Sequence, residues 1–249
     1  MCDTFEYIGT ELEVFAGATH WKRYFESQLR PFICGNVLEV GAGLGATTKI
    51  LCQGAIDSWT CLEPDATLAE RLRADLSRDS SLQTLPIRVK TGTLADLMGD
   101  ALFDTILYID VLEHIEDDRS ELRAAAQHLS HQGHLIVLSP ALNRLFSPFD
   151  RAIGHFRRYT RASLCEAAPP QLERVRLRYL DAVGLLASLA NHTVLKSGHP
   201  TKSQIRFWDT FMVPLSRLVD PLLQYRVGKS IIGVWRSTET TTDDPRAKP

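Results

Sequence analysis

The chain has 249 residues with a net charge of −2 at pH 7, and 44% of its residues are hydrophobic. This length and apolar content predict one large α/β domain with additions around a sizeable core. Five cysteines without a Cys-x-x-Cys pair argue against a disulfide framework and a structural zinc site, which favours a reducing, cytoplasmic location.

Signals for secretion and for membrane spanning are weak. Residues 1–20 carry scattered acids instead of the basic and then apolar runs of a signal peptide. The most apolar later stretch, 182–195, is broken by Asn191 and His192 and is shorter than the roughly 20 residues that a membrane span needs. We therefore expect no secretion and no membrane span, while attachment to a membrane surface stays open.

Charge is divided unevenly along the chain. Residues 1–149 hold 12 Lys and Arg against 21 Asp and Glu, whereas residues 150–236 hold 14 against 6. The basic second half suggests contact with an anionic substrate, nucleic acid or lipid head group, and a solvated basic face is the alternative.

Apolar residues between 11 and 33 recur at intervals of three and four, which predicts one or two amphipathic helices before Pro31. Strands and helices then alternate along the chain. The predicted strands are 36–40, 58–62, 87–90, 103–109 and 134–138, and the predicted helices are 46–52, 67–77 and 117–129. Such alternation predicts a parallel, doubly wound sheet.

The pattern changes after Pro140. Residues 141–161 have no clean period and predict a long loop at the ligand side of the sheet. The sequence then predicts a helix at 161–168, a strand at 174–179, apolar-faced helices at 182–195 and 204–223, and a last strand at 230–236. The expected divisions are an N-terminal helical cover (1–35), a core (36–180), a helical cap or dimer insertion (181–229), the last strand of the core (230–236) and a disordered tail (237–249).

Three glycines at alternate positions, Gly41, Gly43 and Gly45, follow the first strand and precede a helix. Glycines at such a turn bring the backbone close to a ligand. The run fits G-x-G-x-G and also G-x-G-x-x-A, which an NAD-binding domain uses, so the glycines alone leave both cofactors open.

Two carboxylates narrow the choice of ligand. Glu39 lies two residues before the first glycine, where it would repel a pyrophosphate but attract a cationic amino or sulfonium group. Glu63 follows Gly41 by 22 positions, the spacing at which an acid binds two ribose hydroxyls. We expect a ligand that carries both an adenosine and a positive charge.

Four motifs in order resemble those of class I S-adenosylmethionine-dependent methyltransferases. The motifs are 39–45 for the glycine loop, Glu63 for the ribose acid, 103–114 for strand four and 133–137 for the turn into strand five. The likeness is to the small-molecule group (methyltransferase types 11, 12 and 23), including O-methyltransferases of the ubiquinone-biosynthesis kind. It implies a Rossmann-like, doubly wound seven-stranded sheet, mostly parallel with an antiparallel last strand, with N-terminal helices and a helical insertion before that strand.

The resemblance also implies S-adenosyl-L-methionine as the cofactor and a set of residues that bind it. The implied residues are Glu39, Gly41, Ala42, Gly43 and Gly45 for the amino acid portion, Glu63 and Pro64 for the ribose, Thr93 and Leu94 for the adenine, and Asp110 and Val111 near the methionine. Four residues of the N-terminal segment, Trp21, Lys22, Arg23 and Tyr24, would be available to cover the cofactor, and the alternative is that they pack within the helices or face solvent. Many relatives have an aspartate at the position of Thr93.

The substrate side is predicted in the loop after strand five. Histidine side chains ordinarily titrate near neutral pH, which suits a base and makes His155 the first catalytic candidate, and Asp110 is the second. Arg157, Arg158 and Tyr159 are expected to contact the acceptor, and the alternative is that this loop is only tied to the sheet.

A divalent metal could bind Asp110, Glu113 and His114, as in some small-molecule enzymes of the group. An acid at the start of a helix is explained equally well by the helix dipole, so we expect no metal.

The predicted function is methyl transfer to an oxygen, less readily a nitrogen, of a small molecule or glycan that carries negative charge. One alternative is an RNA or protein methyltransferase, although the chain lacks an Asn/Asp-Pro-Pro-Tyr/Phe signature, so nucleic acid is not expected. The other is a protein that binds S-adenosylmethionine without transferring its methyl group. A homodimer through the C-terminal helices is the expected assembly.

Overall fold

A computed structural model describes residues 11–54, 56–80, 82, 85–97, 101–190 and 201–238. Its centre is a seven-stranded sheet in the order β3-β2-β1-β4-β5-β7-β6. The strands are β1 Gly35–Val40, β2 Ile56–Glu63, β3 Ile87–Thr91, β4 Phe103–Ile109, β5 Leu129–Pro140, β6 Leu172–Leu180 and β7 Ser230–Ser237. Only β7 runs antiparallel to its neighbours. The predicted fold class is confirmed.

Ten α-helices surround the sheet among the described residues. They are α1 Glu11–Ala16, α2 Thr19–Leu29, α3 Thr48–Leu51, α4 Ala66–Arg78, α5 Asp118–Gln127, α6 Pro148–Ala152, α7 Arg161–Ala167, α8 Ala182–Ala190, α9 Lys202–Phe207 and α10 Val213–Leu222. A π-helical segment, Trp208–Met212, joins α9 to α10. Polar side chains cap the first turn of several helices. At α4, for example, the Asp65 carboxylate accepts hydrogen bonds from two backbone N–H groups.

Each face of the sheet has its own core, because successive strand residues point to opposite faces. Val37 of β1 packs on the face that is covered by α2 and α4. Leu38 packs on the other face, under α5 and α7. The two central strands are therefore buried on both sides, which explains their continuous apolar runs.

Strand order places the carboxyl ends of β1 and β4 side by side. Val40 of β1 is paired with Tyr108 of β4, while β2 lies on the other side of β1. The chain therefore continues from β1 to β2 on one side of β1 and later reaches β4 on its other side. Doubly wound sheets bind ligands at such a switch point.

The main departure from the predicted elements is at β5. This strand begins at Leu129 instead of 134, and α5 ends at Gln127. Gln132 adopts a positive φ of 62°, and a Cβ on Gly133 would lie 2.9 Å from the Ser130 carbonyl oxygen. A local bulge therefore extends the strand through a segment that has the composition of a turn.

Some predictions fall outside the described residues, namely the end of the helix expected at 182–195 and most of the tail. No helix in the described ranges is long and apolar enough to cross a membrane. The division of the chain into cover, core and cap stays a prediction.

Candidate functional site

A cavity of about 1040 Å³ lies at the carboxyl ends of β1 and β4. The loop 40–44 forms its base, and its walls come from α1, α2, α6, α8 and α9. Ligand cavities in proteins usually measure about 300–1000 Å³, so there is room for a cofactor and an acceptor together.

The glycine loop turns tightly at this end of β1. Gly41, Gly43 and Gly45 have φ values of 68°, 55° and 72°, which side chains other than glycine adopt only with strain. A Cβ on Gly41 would lie 2.6 Å from Val111, and one on Gly45 would lie 2.3 Å from Leu72. Gly41 and Gly43 line the cavity with Ala42 between them, whereas Gly45 packs against α4.

Glu39 lines the same cavity from the end of β1, yet its side chain is almost fully buried. Its Oε2 accepts hydrogen bonds from the Thr48 hydroxyl at 2.6 Å and the Trp59 Nε1–H at 2.9 Å. Burial raises the pKa of Glu39 to about 7, although these hydrogen bonds oppose the rise. A cationic ligand beside Glu39 would favour its ionised form.

Asp110 follows β4 with a φ of 55° and points into the cavity. Its side chain is exposed to the cavity, whose walls lie around it. This poor solvation raises the pKa of Asp110 to about 6, against the opposing charges of His155, Lys22 and Lys229. With Glu39, it gives the site a chemistry that fits an amino or sulfonium cation.

Glu63 lies beside the cavity at the end of β2 and does not line it. Its Oε2 accepts the Gly43 N–H at 2.8 Å and its Oε1 accepts the Asp65 N–H at 3.0 Å. Burial raises the pKa of Glu63, and the two backbone hydrogen bonds oppose the rise. The carboxylate is therefore held rigidly against the glycine loop.

The other residues predicted for the adenosine half, Pro64, Thr93 and Leu94, also lie outside the cavity lining, and so does Val111, which was predicted near the methionine. Thr93 begins a 3-10 turn, and both its backbone N–H and its hydroxyl donate to Asp96 Oδ2, at 2.8 and 2.9 Å. The Thr93 hydroxyl is thus already used to cap this turn. Leu94 is buried in the core beneath it.

His155 is joined to two carboxylates on the acceptor side of the cavity. Its Nδ1 lies 3.0 Å from Asp150 Oδ1, and its Nε2 lies 3.9 Å from Glu113 Oε1. Burial alone would raise the pKa of Asp150, but hydrogen bonds from His155 and Arg158 hold it well below its usual range. Because an ionised carboxylate only accepts, this contact assigns a proton to Nδ1, and in the neutral form of the ring the lone pair is then on Nε2.

Glu113 is fully buried beside this histidine. Its Oε2 accepts from the Ser139 hydroxyl at 2.9 Å, while its Oε1 has no hydrogen-bond partner. Burial, followed by the charge of Asp110, raises the pKa of Glu113 well above its usual range. His114 packs edge-on against His155 with ring centroids 4.5 Å apart, and burial lowers its pKa to about 4.

Ligand atoms of Glu113, His114 and His155 lie within 4.8 Å of one another. This set differs from the predicted trio, because His155 takes the place of Asp110. The expectation of no metal stays a prediction, and the check is an unchanged melting temperature of the full chain after dialysis against a chelator.

The structure does not bring Arg157 and Tyr159 to the cavity. The Arg157 guanidinium lies 2.8 Å from Asp118, and the Tyr159 hydroxyl donates to the same carboxylate at 2.6 Å. Arg158 does line the cavity, but its guanidinium forms two hydrogen bonds with Asp150, at 2.8 and 2.9 Å. All three side chains tie the loop to its surroundings, which is the alternative that the sequence left open.

Tyr24 is also turned away from the cavity. It is 2% exposed, and its hydroxyl donates to Asp220 Oδ2 at 2.6 Å. Its neighbours Trp21, Lys22 and Phe25 line the cavity instead. Of the four residues expected to be available as cover, Trp21 and Lys22 therefore line the cavity, whereas Arg23 and Tyr24 do not, because consecutive helix residues are rotated by about 100°.

Sequence reasoning missed Lys229 as a member of the site, and it included Asp150 in the substrate-side segment without giving it a role. Burial lowers the pKa of Lys22 to about 8, against the charges of Asp110 and Asp209. The only sequence signal for Asp150 is its position five residues before His155 in the same loop.

A family described as a methyltransferase domain matches residues 38–135. A comparison with curated proteins by sequence finds no match.

Solved structures with the same fold have low sequence identity to this chain. The N-methyltransferase NodS from Bradyrhizobium japonicum WM9, in complex with S-adenosyl-L-homocysteine, is 16% identical with a TM-score of 0.58, covering 95% of both chains. Coclaurine N-methyltransferase bound to N-methylheliamine and S-adenosylhomocysteine is 15% identical with a TM-score of 0.60, covering 88% of this chain and 72% of that one. The [4+2]-cyclase SpnF is 15% identical with a TM-score of 0.56, covering 87% and 81%.

These likenesses show the fold of S-adenosylmethionine-dependent methyltransferases. The match to a methyltransferase domain contains the first three motifs and the first residues of the fourth.

Proposed function

We propose that this methyltransferase acts on an oxygen of a small molecule or glycan, with His155 as the base. The observation that carries the proposal is the contact between His155 Nδ1 and the ionised Asp150, at 3.0 Å. It leaves Nε2 able to take a proton, in the cavity that Asp110 and the glycine loop also line. All described cysteines are free, which supports a reducing compartment such as the cytoplasm.

S-adenosylmethionine supplies a methyl group on a positively charged sulfur. Glu39 and Asp110 would attract the cationic part of this molecule, and Gly41 and Gly43 allow it to approach the backbone closely. Most of the rate enhancement in such a displacement comes from orientation and exclusion of water, which an enclosed cavity provides.

An alcohol must lose its proton as it attacks, so a base raises the rate. His155 Nε2 would accept that proton, and the ionised Asp150 stabilises the imidazolium that forms. Arg158 fixes Asp150 through two hydrogen bonds and therefore acts as a positioning residue.

The case for an anionic acceptor is weaker than the sequence suggested. Arg157 is paired with Asp118 and Arg158 with Asp150, so neither guanidinium is available to a substrate carboxylate or phosphate. A neutral hydroxyl compound is the acceptor that fits these contacts.

Nitrogen methylation is the second candidate, because Asp110 and Glu113 both line the cavity near His155. Carboxylates attract an amine acceptor, and a neutral amine attacks without prior loss of a proton. N-methylation would therefore depend less on His155.

The test is transfer of radiolabelled methyl from S-adenosylmethionine to a panel of hydroxyl and amine compounds. We compare the wild type with His155→Asn, Asp150→Asn and, as a matched control, His128→Asn, which caps α5 away from the cavity. O-methylation predicts a fall in kcat of about 10²–10⁴-fold for His155→Asn and an altered pH profile for Asp150→Asn, with no change in the control.

The proposal would be wrong if His155→Asn kept full turnover across about pH 6–9, or if the labelled products were all amines. Titration with S-adenosylhomocysteine gives the binding control. Loss of the base should leave this affinity unchanged, whereas Glu63→Ala should lower it.

A further inference from the structure

Helices α9 and α10 present a row of exposed apolar side chains, which we call the outer row. Its members are between 49% and 82% exposed, namely Phe207, Phe211, Leu215, Leu218 and Leu222. Their spacing of three and four residues places them along one side of the helices. Exposed Leu186 and Leu189 lie on the adjoining α8. Contiguous exposed apolar surface on a folded protein usually marks an interaction site.

The inner side of the same helices carries three buried polar residues beside the apolar Ile205, Trp208 and Val213. These inward polar residues are Asp209, Ser216 and Asp220, and each is at most 4% exposed. Asp209 accepts the Trp21 N–H at 2.8 Å, and the Ser216 hydroxyl donates to Asp181 at 2.6 Å.

Asp220 is the centre of this inner network. It accepts the Tyr24 hydroxyl at 2.6 Å and the backbone N–H groups of Asp181 and Ala182 at 2.7 and 2.9 Å. Rotating the helices to bury the outer row would leave these buried polar groups without partners, at about 1–3 kcal/mol each. The apolar side is therefore fixed in its outward position.

The exposed charges on the helices that carry the outer row are all of one sign. Between residues 201 and 228 the exposed charged side chains are Lys202, Arg206, Arg217 and Arg226. The only acids in that range, Asp209 and Asp220, are buried. Basic residues beside an apolar helix face are the pattern of helices that lie in an anionic membrane interface.

A second copy of the chain fits this surface less well. An isologous contact would bring the same basic side chains of two protomers together, and like charges oppose such an association. An anionic lipid surface complements both the charge and the apolar row.

We propose that the outer row lies on the surface of an anionic lipid bilayer, with α9 and α10 in the plane of the interface. Phe207 is 58% exposed and also lines the cavity, as do the exposed Ser203 and Gln204. One wall of the cavity is therefore at the edge of the docking surface. Docking would let an acceptor with an apolar chain enter the cavity directly from the lipid. This role of docking rests on the proposed function.

The experiment is co-flotation of the full chain with vesicles of phosphatidylcholine alone or mixed with phosphatidylglycerol. The variants are Leu218→Gln with Leu222→Gln, and Arg217→Gln with Arg226→Gln. Val175→Gln, which changes an exposed valine on β6, is the matched control. We expect the wild type and the control to float with anionic vesicles and to be released by salt, and both double variants to bind at least about tenfold more weakly.

Absence of flotation with anionic vesicles would overturn the proposal. Equal binding of the wild type and the leucine double variant to anionic vesicles would also overturn it. A third contrary result would be a wild-type dimer in sedimentation velocity that the leucine double variant does not form, with neither protein binding to vesicles. Titration with S-adenosylhomocysteine separates this result from the proposed function. Both double variants should bind it as the wild type does, because these four residues lie outside the cavity lining.

Discussion

Replacing Glu39 with glutamine should stabilise the ligand-free protein and weaken its affinity for the cofactor. The ionised Glu39 side chain is buried at the base of the cavity, and its pKa in the folded protein is about 7 against an ordinary value of 4.5. A glutamine carbonyl can still accept hydrogen bonds from Thr48 and Trp59, so the substitution removes the charge and keeps these contacts.

The magnitude follows from the difference between the two pKa values. At ~1.4 kcal/mol per pKa unit, ionising Glu39 in the folded state costs about 3 kcal/mol more than in the unfolded state. Because the folded-state pKa of this acid is raised, the cost is absent below pH 4.5 and grows as the pH rises through 7. The advantage of Glu39→Gln should thus be well under 1 kcal/mol at about pH 4 and reach about 3 kcal/mol at about pH 8.

Urea unfolding of both proteins at several pH values measures this difference. At about pH 8 the melting temperature should rise by roughly 6–12 °C. Glu70→Gln, on the exposed side of α4, is the control and should leave stability unchanged at every pH. The affinity of Glu39→Gln for S-adenosylhomocysteine should fall about tenfold or more. An advantage of Glu39→Gln that does not change with pH, or no advantage at pH 8, would refute the reasoning.

Three further predictions concern other residues of the fold and site. The affinity for S-adenosylmethionine should fall as the pH drops through about 6, because protonation removes the Asp110 charge. Calorimetry of Asp110→Asn should show a smaller fall over this range, and the remainder is due to protonation of Glu39. Gly41→Ala should lower the free energy of unfolding by about 1–2 kcal/mol or more, because the residue has a positive φ and the new Cβ would contact Val111. In urea unfolding, the double variant Gly41→Ala with Val111→Ala should lose less stability than the two single variants together. Tyr24→Phe should lower the free energy of unfolding by about 1–3 kcal/mol, since it removes a buried hydrogen bond to Asp220, and an unchanged urea midpoint would contradict this.

The strands and the fold were predictable because their signals are local. Apolar runs bounded by glycines give the central strands to within a few residues, and the spacing from Gly41 to Glu63 reflects one βα unit. The bulge at Gln132 was not predictable, because its cause is the pairing of the lengthened β5 with Phe103 of β4.

Site residues on the glycine loop and at the end of β4 were predictable for the same reason. The partners of Arg157 and Tyr159 were not, since Asp118 lies about 40 residues away and is brought to them by the return of the loop after β5. The outward face of α10 was also beyond prediction. An apolar side is expected to pack inward, and only the donors from Tyr24, Asp181 and Ala182 explain why the polar side does so here.

The two hydrogen bonds of Glu63 bear on how the cofactor preference of this enzyme could be re-engineered. Its carboxylate accepts the backbone N–H of Gly43 as well as that of Asp65, so the side chain that was predicted to bind the ribose also shapes the loop. A designer who replaces Glu63 to admit a different nucleoside would also release the loop that holds the rest of the ligand. A redesign at this position should first keep a hydrogen-bond acceptor for the Gly43 N–H, for example the side-chain carbonyl of a glutamine at position 63.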